Sequence, residues 1–271
     1  MQSLAARVAI LGANLDPDAA RWIATVGQAN ISASRGRLVS DTIRELKAGG
    51  VWADLDFLPV LTAENEASAL VDWKARKSMS VQTTVVTLPT FTVDRGYAFD
   101  GLTNYISTGF VPSTDCVAAT GTSFMLGAYE RTNVGTASAR AMGALTSATR
   151  TALLVPRSST VAQASLNAAA VSIATGLSDS RGLTIGVTDG ANGTGYKNGA
   201  VGVTTALTTP GSALVNIALF MGAYNNAGTP AAFRASTLAM GMFGRNAWTA
   251  TQHAQFYAIM QRYMTKLGAN V

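Results

Sequence analysis

The sequence predicts a mainly β protein, in which an antiparallel β-sandwich follows a small helical region and ends in a C-terminal helix. Three observations support this fold class. Helix signals dominate residues 1–77, short Val- and Thr-rich segments separated by Gly, Asn, Ser and Pro follow from residue 78, and an amphipathic pattern returns over residues 250–267. We therefore predict a helical region at 1–77 and a sandwich with its closing helix at 78–271.

The first two helices are predicted from their end signals. Asp16 is a suitable N-cap, Pro17 stands at the first helical position, and Gly27 is a stop signal. The next segment repeats this pattern, with Ser34 as the predicted cap and Gly49 as the end. A helical hairpin of this size has a thin core, so we expect it to rest on the sandwich or on a neighbouring subunit.

Apolar side chains in this first region are candidates for assembly contacts. A third, short helix is predicted to begin at Thr62 and to carry Leu70 and Val71, and the segment VWADLDFL before it adds further apolar residues. The side chains predicted to pack against the sandwich or a neighbouring subunit are Trp22, Leu38, Ile43, Leu46, Trp52 and Phe57.

The sandwich begins with an uncharged stretch. VQTTVVTLPTFTV has the composition of strands on a pleated surface, and Pro89 must interrupt the run or lie on an edge strand. In YKNGAVGV, Asn198 and Gly199 predict a hairpin, because both central residues of a type I′ turn need positive φ. Many short strands with turns between them favour a sandwich over alternating βα units.

The C-terminal helix is predicted from a capping box. Thr249 and Gln252 form the box and Gly268 ends the helix. Its apolar side chains share one face, which predicts packing on a sheet, and His253 is interpreted as a packing or capping residue on this helix. The residues on this apolar face are Phe256, Met260, Tyr263 and Leu267.

The composition excludes several function classes. Charged residues make up 13% of the 271 residues, against roughly 25% in typical soluble domains, and the basic residues are scattered, so we expect no nucleic-acid partner. With one cysteine and one histidine, the chain cannot form an intrachain disulfide, a Cys-based zinc site or a histidine triad for a metal. We expect no cofactor and no metal centre.

The carboxylates argue against hydrolysis. Glycosidases need two carboxylates that flank the scissile bond, yet residues 131–271 contain only Asp179 and Asp189. We therefore expect that the protein is not an enzyme. A glycoside hydrolase with carboxylates from distant strands, such as Asp100 or Glu130, remains the alternative, although Asp100 in FDG is typical of a turn residue.

One loop raises the question of calcium. TDGANGTG offers Asp189, Asn192 and backbone carbonyls, and calcium needs several oxygen ligands. The same residues are common in plain turns, which is the interpretation we favour. A calcium ion near Asp189 remains an alternative.

No segment predicts insertion into a membrane or a secretion route. The longest strongly apolar run, ALVNIALFMGA, has 11 residues, whereas a bilayer-spanning helix needs roughly 18 or more. VAILGA, at residues 8–13, is too short for the apolar region of a signal peptide.

Several segments together resemble a known family. GYAFDGLTNYISTGF at residues 96–110, YKNGAVG, LFMGAYNNAG and AFRASTLAMGMFGR occur in this order before the terminal helix. They resemble the concanavalin A-like (laminin G-like) jelly-roll domains of tailed-phage and prophage virion structural proteins. The likeness extends from about Arg35 to the C-terminus, and none of its motifs is catalytic.

This resemblance implies a role at a virion surface. It implies a tail fibre, spike or head decoration protein that is assembled in the host cytoplasm, contacts other virion subunits, forms a homo-oligomer and presents a lectin-like sandwich for adhesion to host-surface glycans. A free carbohydrate-binding module or a polysaccharide depolymerase with the same fold is the alternative. The residues that it suggests for carbohydrate binding are Asp189, Asn192, Tyr196, Tyr224, Asn225 and Asn226.

Overall fold

The computed structural model describes residues 14–74, 77–136 and 138–271, so the VAILGA segment lies outside the described residues. Within them the strands form two sheets, called here sheet 1, of eight strands, and sheet 2, of nine. The strands are β1 (Leu55–Phe57), β2 (Ser80–Thr83), β3 (Thr90–Thr92), β4 (Gly96–Ala98), β5 (Asn104–Ser107), β6 (Phe124–Glu130), β7 (Met142–Ser147), β8 (Arg150–Ser158), β9 (Val161–Leu166), β10 (Val171–Ala174), β11 (Gly182–Thr188), β12 (Asn192–Lys197), β13 (Ala200–Ala206), β14 (Phe220–Met221), β15 (Tyr224–Asn226), β16 (Thr229–Ala231) and β17 (Thr237–Gly244).

The two sheets have a mainly antiparallel topology. Sheet 1 runs β13–β12–β11–β6–β17–β4–β3, and β1 pairs with the far end of β17. Sheet 2 runs β10–β9–β8–β7–β14–β5–β2, with β15 parallel to β7 and paired with β16. The predicted mainly β sandwich is therefore confirmed, with one parallel pairing added at β7.

The first helix has the predicted ends. Helix α1 (Pro17–Val26) is capped by Asp16, whose Oδ1 accepts a hydrogen bond of 2.9 Å from the backbone N–H of Asp18. It stops at Gly27, which has a φ of 90°. A short 3-10 turn (Gln28–Asn30) then leads to the second helix.

The second and third helices differ from prediction at their starts. Helix α2 (Ala33–Ala48) is capped by Ser32 and not by Ser34, because the Ser32 hydroxyl accepts from the N–H of Arg35 at 3.2 Å and Ser34 already lies inside the helix. Its end at Gly49 is as predicted. Helix α3 (Glu66–Ala69) has only four residues.

The prediction that α3 begins at Thr62 was wrong. The side chain of Asn65 accepts from the N–H of Ser68 at 2.9 Å and sets a later start. Leu70 caps the end, and Val71 leaves the helix to form a bridge with Ser78.

A one-turn helix α4 (Pro112–Asp115), which was not predicted, precedes β6. The predicted capping box and hairpin are confirmed. Helix α5 (Ala250–Lys266) closes the chain with the Thr249–Gln252 capping box. Between β12 and β13, Asn198 and Gly199 have φ values of 50° and 80°, as the type I′ hairpin requires.

The central strands of sheet 1 are buried on both faces, so the molecule has three layers. Along β6, Leu126 and Ala128 belong to the core between the sheets, while Met125 and Tyr129 belong to a second core beneath the helices. Every residue of β6 and of β11 is buried. Helices α1, α2 and α5 pack over the outer face of sheet 1, and the outer face of sheet 2 lies on the opposite side of the molecule.

The residues predicted to make assembly contacts lie within these layers. Trp22 donates from its indole nitrogen to the carbonyl of Val71 at 3.1 Å, and Phe57 stacks on Phe110 with ring centroids 4.7 Å apart. Because the chain's own residues cover these side chains, little of their area is left for another subunit, and their part in assembly stays a prediction, as does the domain boundary near residue 78. Trp22, Ile43, Leu46, Trp52 and Phe57 are buried, and Leu38 is half-buried beside them.

None of the helices among the described residues is long and apolar enough to cross a membrane.

Candidate functional site

Asp189 and Asn192 form a self-contained turn between β11 and β12. The Asp189 carboxylate accepts hydrogen bonds from the backbone N–H of Ala191 at 2.9 Å and of Asn192 at 2.6 Å, and from the Asn192 side chain at 3.1 Å. These bonds, first among them that of the Asn192 side chain, lower the pKa of Asp189. In the described part of the chain, no group of three or more His, Cys, Asp or Glu could hold a metal ion. A calcium ion at this turn stays a prediction.

Tyr196 belongs to the helical side of sheet 1. Its ring stacks on His253 of α5 with centroids 3.6 Å apart and an interplanar angle of 15°, and Trp248 contacts the same imidazole edge-on at 5.1 Å. His253 is fully buried, and neither ring nitrogen has a hydrogen-bond partner among the described residues. Burial lowers the pKa of His253 from 6.5 to about 4. The packing role predicted for His253 is confirmed, and Tyr196 shares it.

The buried imidazole predicts a loss of stability in acid. Since the folded pKa lies below the unfolded one, the unfolded chain binds the extra proton between about pH 6.5 and 4, and His253 favours folding fully only above this window. We expect the free energy of unfolding to be about 2 kcal/mol lower at pH 5 than at pH 8. Urea unfolding across this range measures it. His253 is the only histidine, so a His253→Phe variant should lose most of the pH dependence above pH 5. An unchanged profile in that variant would contradict the assignment.

The predicted residues Tyr224, Asn225 and Asn226 lie on β15 of sheet 2. Asn225 is buried, donates to the carbonyl of Ala218 at 2.9 Å and accepts from the N–H of Gly228 at 2.7 Å, so it holds the β15–β16 hairpin. Tyr224 is half-buried and Asn226 exposed. The structure thus divides the six predicted carbohydrate-binding residues between two sheets, and they do not form one site.

The outer face of sheet 2 carries an unpredicted apolar row. On β8, Ala152 and Leu154 point into the core between the sheets, so strand alternation places Leu153 on the outer face. Leu153 pairs with Gly143 of β7, and Gly143 pairs in turn with Phe220 of β14. These three neighbouring positions therefore run across the middle of the sheet.

Gly143 is a close-packed position in this row. Its φ is 149°, and a Cβ at this position would lie 2.2 Å from the carbonyl oxygen of Ala152 and 2.9 Å from the side chain of Leu153. No side chain fits there, because neighbouring atoms already fill the space. Gly143, Leu153 and Phe220 are all buried, so the row itself is covered.

Three aromatic side chains, one of them Phe220, form a group at one end of this row. We call Tyr105, Phe220 and Phe233 the aromatic cluster. The ring centroids of Tyr105 and Phe220 are 4.5 Å apart, and those of Tyr105 and Phe233 are 6.4 Å apart. Phe220 is largely covered, whereas Tyr105 and Phe233 are half-buried and keep part of their surface open to solvent.

Arg140 borders the aromatic cluster. Its backbone N–H donates to the carbonyl of Ala232 at 2.9 Å, which places it beside the residue that precedes Phe233. Its Nη1 donates to the carbonyl of Ser138 at 2.7 Å, and its Nε is buried without a partner among the described residues. Burial lowers the pKa of Arg140; nearby Tyr224 opposes this shift and Arg234 adds to it.

The two carboxylates considered for hydrolysis have structural partners. Partial burial alone would raise the pKa of Asp100, but hydrogen bonds from Thr103, Leu102 and Asn104 lower it to about 2, which confirms Asp100 as a turn residue. Glu130 binds Arg234 through both oxygens, at 2.6 and 2.9 Å, and both side chains are fully buried. Asp100 is therefore ionised near neutral pH, and the Glu130 carboxylate is enclosed and bound by Arg234.

Part of this face could have been read from the sequence. In NYIS, an inward Ile106 implies an outward Tyr105, because neighbouring strand residues face opposite sides. Phe220 lies in a strand of two residues and Phe233 in a loop, so no periodicity marks them.

No protein-family model matches the chain, and no curated protein sequence matches it. Among solved structures, it is similar to domain 4 of AbnA, a GH43 extracellular arabinanase from Geobacillus stearothermophilus, with a TM-score of 0.50 and 12% identity over 75% of this chain and 98% of that domain. It is also similar to a Trypanosoma rangeli sialidase, with a TM-score of 0.56 and 11% identity over 85% of this chain and 40% of the sialidase. An HCR/D mutant matches with a TM-score of 0.51 and 8% identity over 76% of this chain and 52% of that one. The fold is a jelly-roll-like β-sandwich. At these identities the likeness extends to the fold alone.

Proposed function

We propose that the chain is a carbohydrate-binding β-sandwich displayed on a phage particle, where it holds host-surface glycans without hydrolysing them. The observation that carries the binding role is the aromatic cluster, whose Tyr105 and Phe233 rings keep part of their surface open to solvent on the face of the sandwich away from the helices. Flat aromatic surfaces with adjacent polar groups suit sugar rings, whose C–H faces are apolar and whose hydroxyls need hydrogen bonds.

Two of the similar structures support this proposal. Domain 4 of the arabinanase was solved in complex with arabinotriose, and the Trypanosoma rangeli sialidase in complex with sialic acid, the latter at a TM-score of 0.51. Sandwiches of this shape thus occur in proteins that bind sugars. The residues of this chain's own sheet 2 supply the contacts that we propose here.

The placement on a virion rests on the sequence resemblance. Low charge and a helical lead-in before the sandwich are the features that support it. In this proposal the chain forms a homo-oligomer with other virion subunits, is assembled in the host cytoplasm, and presents many copies of sheet 2. Repetition matters because weak single-site binding is multiplied when several linked sites engage at once.

Replacing Tyr105 tests the site. We expect Tyr105→Leu to weaken glycan binding at least tenfold, because the sugar loses its aromatic platform while the leucine still covers Phe220. A glycan array identifies the strongest ligand, and titration calorimetry with that ligand measures Kd. The matched control is Tyr257→Leu, which removes a half-buried tyrosine from α5 on the helical side and should leave Kd unchanged.

Two results would count against the proposal. Equal losses in both tyrosine variants would place binding elsewhere, and no binding to any arrayed glycan would remove the carbohydrate role. Release of reducing ends from a bound polysaccharide would instead establish the depolymerase alternative.

A further inference from the structure

The charges of this chain are divided unevenly along its length. Residues 1–130 contain thirteen Asp and Glu and ten Lys and Arg, whereas residues 131–271 contain two acidic and ten basic residues. No strand of sheet 2 contains an Asp or Glu. Seven of the nine strands of sheet 2, all but β2 and β5, come from residues 131–271, the part of the chain with an excess of positive charge.

Most acidic side chains of the first part already have partners near the helices. Lys47 binds Asp16 at 2.7 Å, and Arg35 binds Asp94 at 2.6 Å. Arg262 of α5 pairs with a glutamate of α2. These contacts neutralise charge on the side of the molecule opposite the aromatic cluster.

The arginines around sheet 2 lack such partners. Among the described residues, Arg140, Arg150 and Arg157 have no carboxylate within salt-bridge distance. Arg157 is held by the side chain of Asn133 at 2.9 Å. The carboxylate of Glu130, at the end of β6 in sheet 1, is already bound by Arg234 through both of its oxygens.

Of these three arginines, Arg140 is the one that borders the aromatic cluster. A half-buried guanidinium that has lost water without gaining a carboxylate is costly, and an incoming anion offsets that cost. Its Nε is buried and unpartnered among the described residues, and the residue after its backbone partner Ala232 is Phe233. The backbone of Arg140 therefore lies beside that of Ala232, next to Phe233 of the aromatic cluster.

We propose that the aromatic cluster and Arg140 together select acidic oligosaccharides, those built from sugars that carry a carboxylate. This inference rests on the proposed carbohydrate-binding function and names its ligand class. One sugar ring lies on Tyr105 and Phe233, and its carboxylate accepts from the guanidinium of Arg140, a residue that is half-buried. Arginine suits this task because its planar donors match both oxygens of a carboxylate.

The test compares each acidic sugar with its own neutral form. Oligomers of galacturonate, mannuronate and hyaluronate are each titrated as the free acid and as the methyl ester, which keeps the ring and removes the charge. We expect the best acid to bind at least tenfold more tightly than its ester. Arg140→Gln should weaken acid binding at least tenfold and leave the ester within twofold, and Arg140→Lys, which keeps the charge but loses the fork, should fall between the two.

The control is Arg21→Gln, which removes the same charge from an exposed position on α1. Melting temperatures of all variants establish that they are folded. Equal weakening by Arg21→Gln and Arg140→Gln would indicate general charge attraction and overturn the assignment to Arg140.

The two proposals fail in different ways. Equal binding of acid and ester, or binding of neutral glycans only, overturns the acidic preference and leaves the carbohydrate-binding function standing. Absence of binding to every acid, every ester and every neutral glycan on the array overturns both.

Discussion

Removal of residues 1–77 is expected to leave the remaining chain aggregated and without a cooperative unfolding transition. The helices α1 and α2 cover the outer face of sheet 1, and their loss exposes apolar side chains of β6, β11 and β17, among them Met125, Ile185 and Met242. Deletion also removes β1, which pairs with β17. Light scattering gives the mass of the truncated chain, and urea unfolding its stability.

Point variants on α2 separate packing from a general effect of truncation. Ile43→Ala and Leu46→Ala should each lower the free energy of unfolding by about 2–5 kcal/mol, since both side chains are fully buried. Arg44→Ala, on the exposed side of the same helix, should change it by less than about 0.5 kcal/mol. A soluble truncated chain that unfolds like the full one would instead support a domain boundary near residue 78.

Replacement of Arg234 by Met is expected to lower the free energy of unfolding by about 3–5 kcal/mol, because it leaves the buried carboxylate of Glu130 without its partner. Arg234 also donates to the carbonyl of Val134 at 2.9 Å and to that of Ala139 at 3.2 Å, so loop contacts are lost as well. Chemical denaturation of the purified variant measures the change.

The double variant Arg234→Met with Glu130→Gln is the informative comparison. Removal of both charges should restore part of the stability, since a neutral amide is cheaper to bury than a lone carboxylate. Arg181→Met is the matched control, because its pair with Asp179 is exposed and such pairs contribute little. A loss of under about 1 kcal/mol in Arg234→Met would show that the buried pair adds little to stability.

Local signals in the sequence were enough for several helix ends and for one hairpin turn, but not for the starts of α2 and α3. The caps at Asp16 and Thr249 and the hairpin at Asn198 each depend on residues within four positions of one another. The prediction that Ser34 caps α2 was wrong, because Ser32 offers the same kind of hydroxyl two residues earlier and is the N-cap. When two equivalent caps compete, the wider packing of the helix decides between them.

Long-range pairing could not be read in this way. Leu55–Phe57 lies in the region predicted as helical, yet it pairs with β17 far along the chain. Glu130 and Arg234 are separated by 104 positions, and only the closed sandwich brings them together. The fold class follows from composition and turns, whereas partner choice depends on contacts that no local pattern encodes.

The candidate site also depends on long-range pairing that local sequence patterns do not predict. Asn225 was predicted as a carbohydrate-binding residue from the family resemblance, but the hairpin uses both ends of its side chain. Tyr105 and Phe220 meet because β5 and β14 are neighbours in sheet 2, a pairing between segments more than a hundred residues apart. The resemblance therefore pointed to loop residues, whereas the site that we propose lies on a sheet face.

The burial of the central strands of sheet 1 on both sides limits how this sequence can change over evolutionary time. In β6 every position meets either the inner core or the helices, so most substitutions there require a compensating change in another layer. In β5 and β9 the inward positions are held, while Tyr105 and Gln163 on the outward side are half-exposed. Neutral substitutions are therefore expected to accumulate on the outer face of sheet 2. The residues that contact a ligand there can change while the buried layers keep the fold.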